Sequence, residues 1–248
     1  MGGYVCTIAG GNGGVGKTTT AINLATALEG RGYETALIDA DLAMPNVAEM
    51  LDLDYDRCLH DVLAGTATVS ETLTEAPGGS TVIPGESSLD AYAEADPGKL
   101  WKVANTLSRT HDVVFIDTAA GLSKQTTVPL ELADGVILVT TPDHVSLTDT
   151  GKTGTIAELV DSEIVGALLV RATSETPIEG IDDEFAFPVL GGIPADNDFA
   201  GDEPLVTNSP DSLSARAYRE LGDELEAVFF GESSGESVEL VPRDWIDE

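Results

Sequence analysis

The sequence predicts an α/β fold, a three-layer, doubly wound and mostly parallel sheet with helices on both faces. The chain has 248 residues, 42% of them hydrophobic, which is enough for one large domain with a sizeable core. Short apolar runs rich in β-branched residues alternate with longer stretches of helical periodicity. Such alternation joins parallel strands through right-handed crossovers, so the sheet is open and covered on both sides.

The predicted strands are short, and several are apolar at successive positions, as in strands buried on both faces. In chain order they are Tyr4–Ala9, Thr35–Asp39, Thr81–Pro84, Val113–Asp117, Gly135–Thr140, Ile164–Arg171 and Pro188–Ile193. The predicted helices are Lys17–Glu29, Pro97–Arg109, Gln125–Ala133, Val145–Val160 and Leu213–Phe229. A sheet of this type binds its ligand at the carboxyl ends of its strands.

The chain divides into a domain of residues 1–230 and an acidic C-terminal tail of residues 231–248. The tail opens on Gly-Glu-Ser-Ser-Gly-Glu-Ser and carries six acidic residues against the single Arg243. This composition favours a flexible segment. Trp245 and Ile246 form an apolar pair that could contact a partner or pack back on the domain, and the sequence leaves both readings open.

The net charge is the most unusual property of the sequence. Twelve Lys and Arg residues stand against 44 Asp and Glu, a formal net charge of −32. This charge repels phosphate backbones and anionic headgroups, so we expect neither nucleic-acid nor direct membrane binding. In about 1 M salt the Debye length is roughly 3 Å, which screens the repulsion between carboxylates. The charge therefore predicts a halophilic protein.

The sequence shows no sign of export or membrane insertion. Its two cysteines, Cys6 and Cys58, form no CxxC pair, which argues against a disulfide scaffold and against a zinc or iron–sulfur site. No basic region opens the chain, and no apolar run approaches the roughly 18 residues that span a bilayer. We expect a cytoplasmic protein.

A phosphate-binding loop of the form G-x-x-x-x-G-K-[ST] lies between the first predicted strand and the first predicted helix. Its glycines let backbone N–H groups surround a polyphosphate at the helix N-terminus. Lys17 would reach the β and γ phosphates, and Thr18 would offer its hydroxyl to Mg²⁺. The motif predicts binding of ATP or ADP with Mg²⁺. The predicted binding residues are Gly11, Asn12, Gly13, Gly14, Val15, Gly16, Lys17, Thr18 and Thr19.

Three acidic residues end predicted strands at the same edge of the sheet. Asp39 ends the second strand with Asp41 just beyond it, and Asp117 ends the fourth in Walker B form. Side chains alternate between faces along a strand, so Asp39 and Asp41 share one face. One of them can hold Mg²⁺ while the other orients the attacking water, and Asp117 would hold Mg²⁺ through a water. The alternative for the first two is capping of the following turn.

Together these motifs resemble the MinD/ParA family of deviant-Walker P-loop ATPases, and in particular archaeal MinD-like proteins. The resemblance extends from Tyr4 to Phe230 and implies a nucleotide-dependent dimer that positions other cellular machinery. It makes Asp41 the water-activating residue beside Lys17, with Asp39, Asp117 and Thr18 at the metal. It also implies an adenine site at Arg171, Pro194 and Asp196. The matching segments are 13–19, Asp39-Ala40-Asp41, Asn46, His60-Asp61-Val62-Leu63, 117–121, Thr141-Pro142-Asp143 and 192–196.

The chain departs from the family pattern at three points. Asn12 stands where the family has a lysine that crosses the dimer interface to the partner's nucleotide, which predicts weak or partner-stimulated hydrolysis. Val170 precedes Arg171 where asparagine is usual, which removes a side-chain contact to adenine. The acidic tail has no counterpart of the basic amphipathic helix by which MinD proteins bind membranes.

Two functions from different classes follow from these observations. The first is a MinD-like switch, a slow Mg²⁺-dependent ATPase that positions or partitions a cellular assembly through a protein partner. The alternative is a non-hydrolysing nucleotide-binding scaffold or regulatory interaction protein, which Asn12 favours. DNA partitioning would need a basic stripe. Arg216 and Arg219 are the nearest pair, and we expect them to be solvated and paired with Glu220 or Asp223.

Overall fold

A computed structural model describes residues 2–121, 123–173, 176, 187–195 and 203–231. Its strands are β1 (Tyr4–Ala9), β2 (Thr35–Ala40), β3 (Thr74–Glu75), β4 (Thr81–Ile83), β5 (Val113–Thr118), β6 (Gly135–Thr140), β7 (Ile164–Ala172) and β8 (Val189–Pro194). They form one sheet with the order β3-β4-β2-β5-β1-β6-β7-β8. Every neighbouring pair is parallel except β3 with β4.

The helices connect the strands across both faces of this sheet. They are α1 (Lys17–Glu29), α2 (Val47–Met50), α3 (Leu59–Ala64), α4 (Leu89–Glu94), α5 (Leu100–Leu107), α6 (Lys124–Leu132), α7 (His144–Leu159), α8 (Leu205–Asn208) and α9 (Leu213–Phe230).

Alternating strand residues point into two separate cores, which makes the molecule three-layered. On one face, α1 and α9 cover residues such as Ile8 and Phe115. On the other face, α3 and α5 pack on Ile38 and Ile116, and α6 and α7 pack on the neighbouring strands around Leu138. Every residue of β2, β5 and β6 is buried. The predicted fold class is confirmed.

One predicted helix, Pro97–Arg109, is wrong at both ends. Its first three residues form a 3₁₀ turn, because the Asp96 carboxylate accepts the N–H of Gly98 at 3.0 Å and Pro97 follows directly as the first turn residue. The α-helix proper ends at Leu107. The other predicted strands and helices differ from the observed ones by at most one residue at either end.

Several short elements were not predicted. These are β3, α2, α3, α4 and α8, which have two to six residues each. Fewer than two helical turns carry too few apolar positions for a period to be recognised. The proposed tail of residues 231–248 lies outside the described residues except for Gly231.

Candidate nucleotide site

The predicted site residues meet at the carboxyl edge of the sheet. β1 leads into the phosphate loop, and α1 begins at Lys17, directly after the loop. β5 lies between β1 and β2, and the β2–β5 register places Asp39 opposite Asp117. The loop, the helix N-terminus and the acidic residues are therefore neighbours in space, which is the arrangement that binds polyphosphates.

Two glycines of the phosphate loop are required by geometry. Gly16, immediately before α1, has a φ of 98°, a left-handed conformation that glycine adopts without steric cost. A Cβ at Gly11 would lie 2.3 Å from the backbone carbonyl carbon of Asp149 in α7, so a larger residue would push the loop away from the helix. A Cβ at Gly13 or Gly14 would meet no atom within 4 Å, which leaves the loop surface open for a ligand.

Lys17 lies within the curve of the loop and is 7% exposed. Its Nζ donates to the carbonyl oxygen of Asn12 at 3.1 Å. Burial lowers the pKa of Lys17 below its ordinary value, while the nearby Asp117 and Asp41 carboxylates partly oppose this shift. An ammonium group has three donors. The described residues engage one of them in a hydrogen bond, so the group can also bind phosphate oxygens.

Asp39 and Asp117 are buried and 0% and 1% exposed. Burial, and then the charge of Asp117, raise the pKa of Asp39 above the ordinary carboxyl range. Burial likewise raises the pKa of Asp117, against the hydrogen bond from Thr18 and the charge of Lys17. Two buried carboxylates held close together are a site that favours a cation.

Hydrogen bonds orient these carboxylates through one oxygen each. Asp39 Oδ2 accepts the N–H groups of Asn46 and Val47, both at 3.0 Å. Asp117 Oδ2 accepts the Thr18 hydroxyl at 2.6 Å, and Asn46 Oδ1 lies 3.0 Å from the same hydroxyl oxygen. Asn46 belongs to the family pattern without an assigned role there. The signal that points to it is its place shortly after the two acids, immediately before α2.

The remaining oxygens of these carboxylates fit a magnesium ion. Asp39 Oδ1 and Asp117 Oδ1 are buried and have no hydrogen-bond partner in the part of the chain that the structure describes. The described part of the chain contains no cluster of three or more His, Cys, Asp or Glu side chains suited to a metal. Mg²⁺ does not require one, since it keeps several waters and is commonly held by one or two carboxylates together with phosphate oxygens.

Asp41 lies beyond the end of β2 and is only partly buried. Its Oδ1 accepts the N–H of Met44 at 3.0 Å, so this carboxylate caps the following turn as the alternative reading expected. Its charge also acts on Lys17, Asp39 and Asp117. Capping engages Oδ1, and Oδ2, which bonds no other group in the described part of the chain, can accept from a water at the edge of the site.

Asn12 is held by α7. With its Nδ2 facing the neighbouring acceptors, Asn12 donates to Asp149 Oδ2 at 3.0 Å and to the Gly11 carbonyl at 3.2 Å. Asp149 Oδ1 accepts from Lys152 Nζ at 2.8 Å. The loop is therefore joined to α7 by a neutral side chain, and the nearby cation is paired with Asp149.

The residues predicted near the base are only partly described. The Arg171 guanidinium donates to the carbonyl oxygen of Gly14 at 2.9 Å, which attaches β7 to the phosphate loop. Val170 is buried, and its Cγ1 would lie 3.2 Å from a Cβ at Gly16. Pro194 ends β8, beside β7. Asp196 lies outside the described residues.

Comparison with known proteins shows which family the chain belongs to. Residues 6–203 match the family described as CobQ/CobB/MinD/ParA nucleotide binding domain. The chain belongs to this family. A relative from Methanocaldococcus jannaschii, an uncharacterized ATP-binding protein, is 36% identical over 226 residues, which are 88% of this chain and 86% of the relative. The predicted MinD/ParA resemblance is confirmed.

Two solved structures of MinD proteins have the same fold. The cell division ATPase MinD of Pyrococcus furiosus has a TM-score of 0.87 and 34% identity, over 91% of this chain and 99% of that one. The septum site-determining protein MinD of Pyrococcus horikoshii, solved with Mg-ADP, has a TM-score of 0.83 and 30% identity, over 91% and 96% of the two chains.

Of the two basic residues expected to be solvated on α9, Arg216 is exposed, and the structure gives other partners to Arg219 and Asp223. Asp223 pairs instead with Arg31, which also pairs with Glu226. Arg219 donates to the carbonyl oxygen of Pro210. Two acidic residues on α9 are therefore paired with Arg31, which lies just after α1.

Among the described residues, no helix is long and apolar enough to cross a bilayer.

Proposed function

We propose that this MinD/ParA-family protein is an ATP-dependent molecular switch that hydrolyses ATP slowly and acts through a protein partner to position or partition a cellular assembly. The observation that carries the proposal is the pair of orphaned oxygens, Asp39 Oδ1 and Asp117 Oδ1, beside the Thr18 hydroxyl and the Lys17 ammonium group. Burying two carboxylates side by side is costly, and a metal-bound nucleotide would relieve this cost.

Nucleotide binding follows from the chemistry of the loop. Backbone N–H groups and the N-terminus of α1 attract the phosphates, and Lys17 adds a charge-assisted contact. Thr18, Asp39 and Asp117 would hold Mg²⁺, directly or through its waters. When bound, Mg²⁺ would neutralise part of the negative charge on the β and γ phosphates. Arg171, Pro194 and Asp196 are proposed to line the adenine site.

Hydrolysis would depend on Asp41. Its free oxygen accepts a hydrogen bond from a water and orients that water towards the γ-phosphorus. One proton of the water passes to Asp41 while the water oxygen forms the new bond to phosphorus, and the bond to the bridging oxygen breaks to leave ADP and phosphate. Lys17 stabilises the negative charge that moves onto the transferred group.

Turnover would be slow because Asn12 carries no charge. A cation supplied from a second molecule to the transferring phosphoryl group can be worth about 10³–10⁵ in rate in phosphate-loop enzymes. The Asn12 side-chain amide donates to the Asp149 carboxylate, and the Lys152 ammonium group is paired with the same carboxylate. A partner protein that brings a cation to the site would accelerate the reaction.

A second function, that of a non-hydrolysing nucleotide-binding scaffold, is favoured by one specific observation. The Asn12–Asp149–Lys152 network is complete within one chain and leaves no free cation at position 12 for a second copy. In this case nucleotide would select a conformation without being cleaved.

Two variants decide between the switch and the scaffold. For the switch, Asp41→Ala should abolish slow phosphate release while calorimetry in molar KCl shows that nucleotide still binds. Asn12→Lys should raise the rate, or ATP-dependent dimerisation measured by gel filtration. A wild-type protein that binds Mg-ATP but releases no phosphate would support the scaffold. Rapid turnover by the wild-type protein alone, or full activity of Asp41→Ala, would contradict the mechanism.

A further inference from the structure

His60, in α3, has no part in the mechanism above, yet both of its ring nitrogens are engaged. The side chain is 1% exposed. Nδ1 lies 3.1 Å from the backbone nitrogen of Glu86, and Nε2 lies 3.0 Å from the carbonyl oxygen of Leu42. A backbone N–H can only donate and a carbonyl can only accept. The ring is therefore neutral, with its proton on Nε2.

The Leu42 carbonyl belongs to the residue that directly follows Asp41. The backbone of this segment, residues 41–46, is held at its far end by Asp39, which accepts the N–H of Asn46. Within the segment, the Asp41 carboxylate accepts the N–H of Met44, a local contact that moves with the segment. His60 thus supplies a hydrogen bond that attaches the near end of the segment to α3, beside the packing of the buried Leu42 side chain against Leu59 and Leu63.

The other side of the imidazole attaches to the segment that follows β4. The carbonyl of Pro84 accepts the N–H of Leu59 at 2.8 Å, which joins this segment to the start of α3. A Cβ at Gly85 would lie 2.4 Å from Pro45 Cβ and 3.5 Å from the carboxyl carbon of Asp39. Residues 84–86 therefore form a wall against the loop that carries Asp41, and the His60 ring joins the two.

We propose that His60 is a positioning residue that holds the Leu42 carbonyl, and with it the backbone of Asp41, against residues 84–86. The inference rests on the proposed function, because Asp41 orients the attacking water there. Donation from Nε2 is the bond that serves this role. Acceptance by Nδ1 sets the tautomer that makes the donation available.

Two amide substitutions separate the two bonds. In His60→Gln, the longer side chain places an amide N–H near the position of Nε2 and can still donate to the Leu42 carbonyl. In His60→Asn, the shorter side chain places its oxygen near Nδ1, accepts from Glu86, and leaves the Leu42 carbonyl without a donor. The matched control is His111→Asn, since His111 accompanies Leu107 and Thr110 at the end of α5, away from the site.

The decisive measurements are steady-state ATP hydrolysis and amide hydrogen exchange in the 41–46 segment, in molar KCl. We expect His60→Asn to lower kcat roughly tenfold with KM and ADP affinity unchanged, and to speed exchange at Leu42, whose N–H donates to the Ala40 carbonyl at 3.0 Å. His60→Gln should stay within about threefold of wild type in kcat and retain slow exchange. His111→Asn should leave both readouts unchanged.

Amide hydrogen exchange tests this inference independently of the proposed function. If the wild-type protein hydrolyses no ATP, the proposed hydrolysis fails, while faster exchange in His60→Asn alone still supports the positioning role. Wild-type exchange and kcat in His60→Asn would overturn the inference. Equal losses in His60→Asn and His60→Gln, or failure of both to fold, would also overturn it, because His60 would then serve the fold as a whole.

Discussion

Lys17 shows how a single residue can be poised for a ligand that carries the opposite charge. Its ammonium group is buried beside a backbone carbonyl, a position in which burial disfavours the charged form. The nearby carboxylates offset this cost only in part. A polyphosphate would supply the missing negative charge at short range, where the low local dielectric makes the contact strong.

The first prediction concerns this lysine. Lys17→Ala should weaken ADP binding tenfold or more, because a charge-assisted hydrogen bond is worth roughly 1.5–3 kcal/mol. Titration calorimetry in molar KCl with Mg²⁺ measures the change. Lys102→Ala is the control, since Lys102 stands over the Trp101 ring on the outside of α5. Equal affinities in all three proteins would rule out the phosphate-loop assignment.

At the next scale, α7 is the element that supports the phosphate loop from the side. Its residue Asp149 contacts Gly11 and Asn12, and the Thr150 hydroxyl accepts the N–H of Gly11 at 3.3 Å. The helix is fixed at its start by Asp143, whose Oδ1 accepts the N–H of Ser146 at 3.0 Å. The position of the loop therefore depends on a helix that begins after β6.

The second prediction tests this helix cap. Asp143→Ala should lower the free energy of unfolding by about 1 kcal/mol at pH 7, as expected for loss of an N-cap, with denaturant titration as the measurement. Hydrogen bonds from the Thr141 hydroxyl and the Ser146 N–H lower the pKa of Asp143 to about 2. The charged cap therefore contributes its full stability at pH values above the ordinary pKa of an aspartate. This contribution is lost as the pH falls towards 2.

A matched acid shows whether the effect belongs to the cap. Asp54→Ala removes an exposed carboxylate that lies outside the helices and strands, so its free energy of unfolding should change little. Asp143→Asn keeps an acceptor oxygen and should retain most of the stability. A difference between wild type and Asp143→Ala that does not shrink on acidification would show that the carboxylate charge has no role.

The charge distribution governs the behaviour of the whole molecule. The chain carries a net charge of −32, and the cations that form ion pairs in the described residues are few and mostly exposed. Exposed ion pairs contribute little individually. Self-repulsion among the unpaired carboxylates is therefore the dominant electrostatic term, and dissolved salt controls it.

The third prediction is that the protein loses stability in dilute salt. Lowering KCl from molar concentration to about 0.1 M lengthens the Debye length from roughly 3 to 10 Å, so carboxylate repulsion should lower the melting temperature. Calorimetric melting over a KCl series measures this effect. Sucrose added at low salt is the control, because it is excluded from protein surfaces without screening charge. A melting temperature independent of KCl would contradict the halophilic interpretation.

The parts of this protein that depend on local pattern could be predicted from the sequence. Each long strand and helix carries its own apolar period, so its bounds were predicted to within one residue, apart from the helix preceded by the Pro97 turn. The phosphate loop and the acids at strand ends were recognised because motif spacing and strand direction alone bring them to one edge. Short elements such as α3 could not be predicted, because six residues are too few to show a helical period.

Only the tertiary structure decided which distant residues support the site. His60 contacts carbonyl and amide groups 18 and 26 residues away, and Asn12 contacts Asp149 across the loop–α7 boundary. Val170 fits beneath Gly16 because β7 and α1 pack on the same core. These contacts follow from the strand order and from the packing of crossover helices on the sheet. Neither is encoded in any local run of residues, so the sequence determined the reactive groups while the fold determined what holds them.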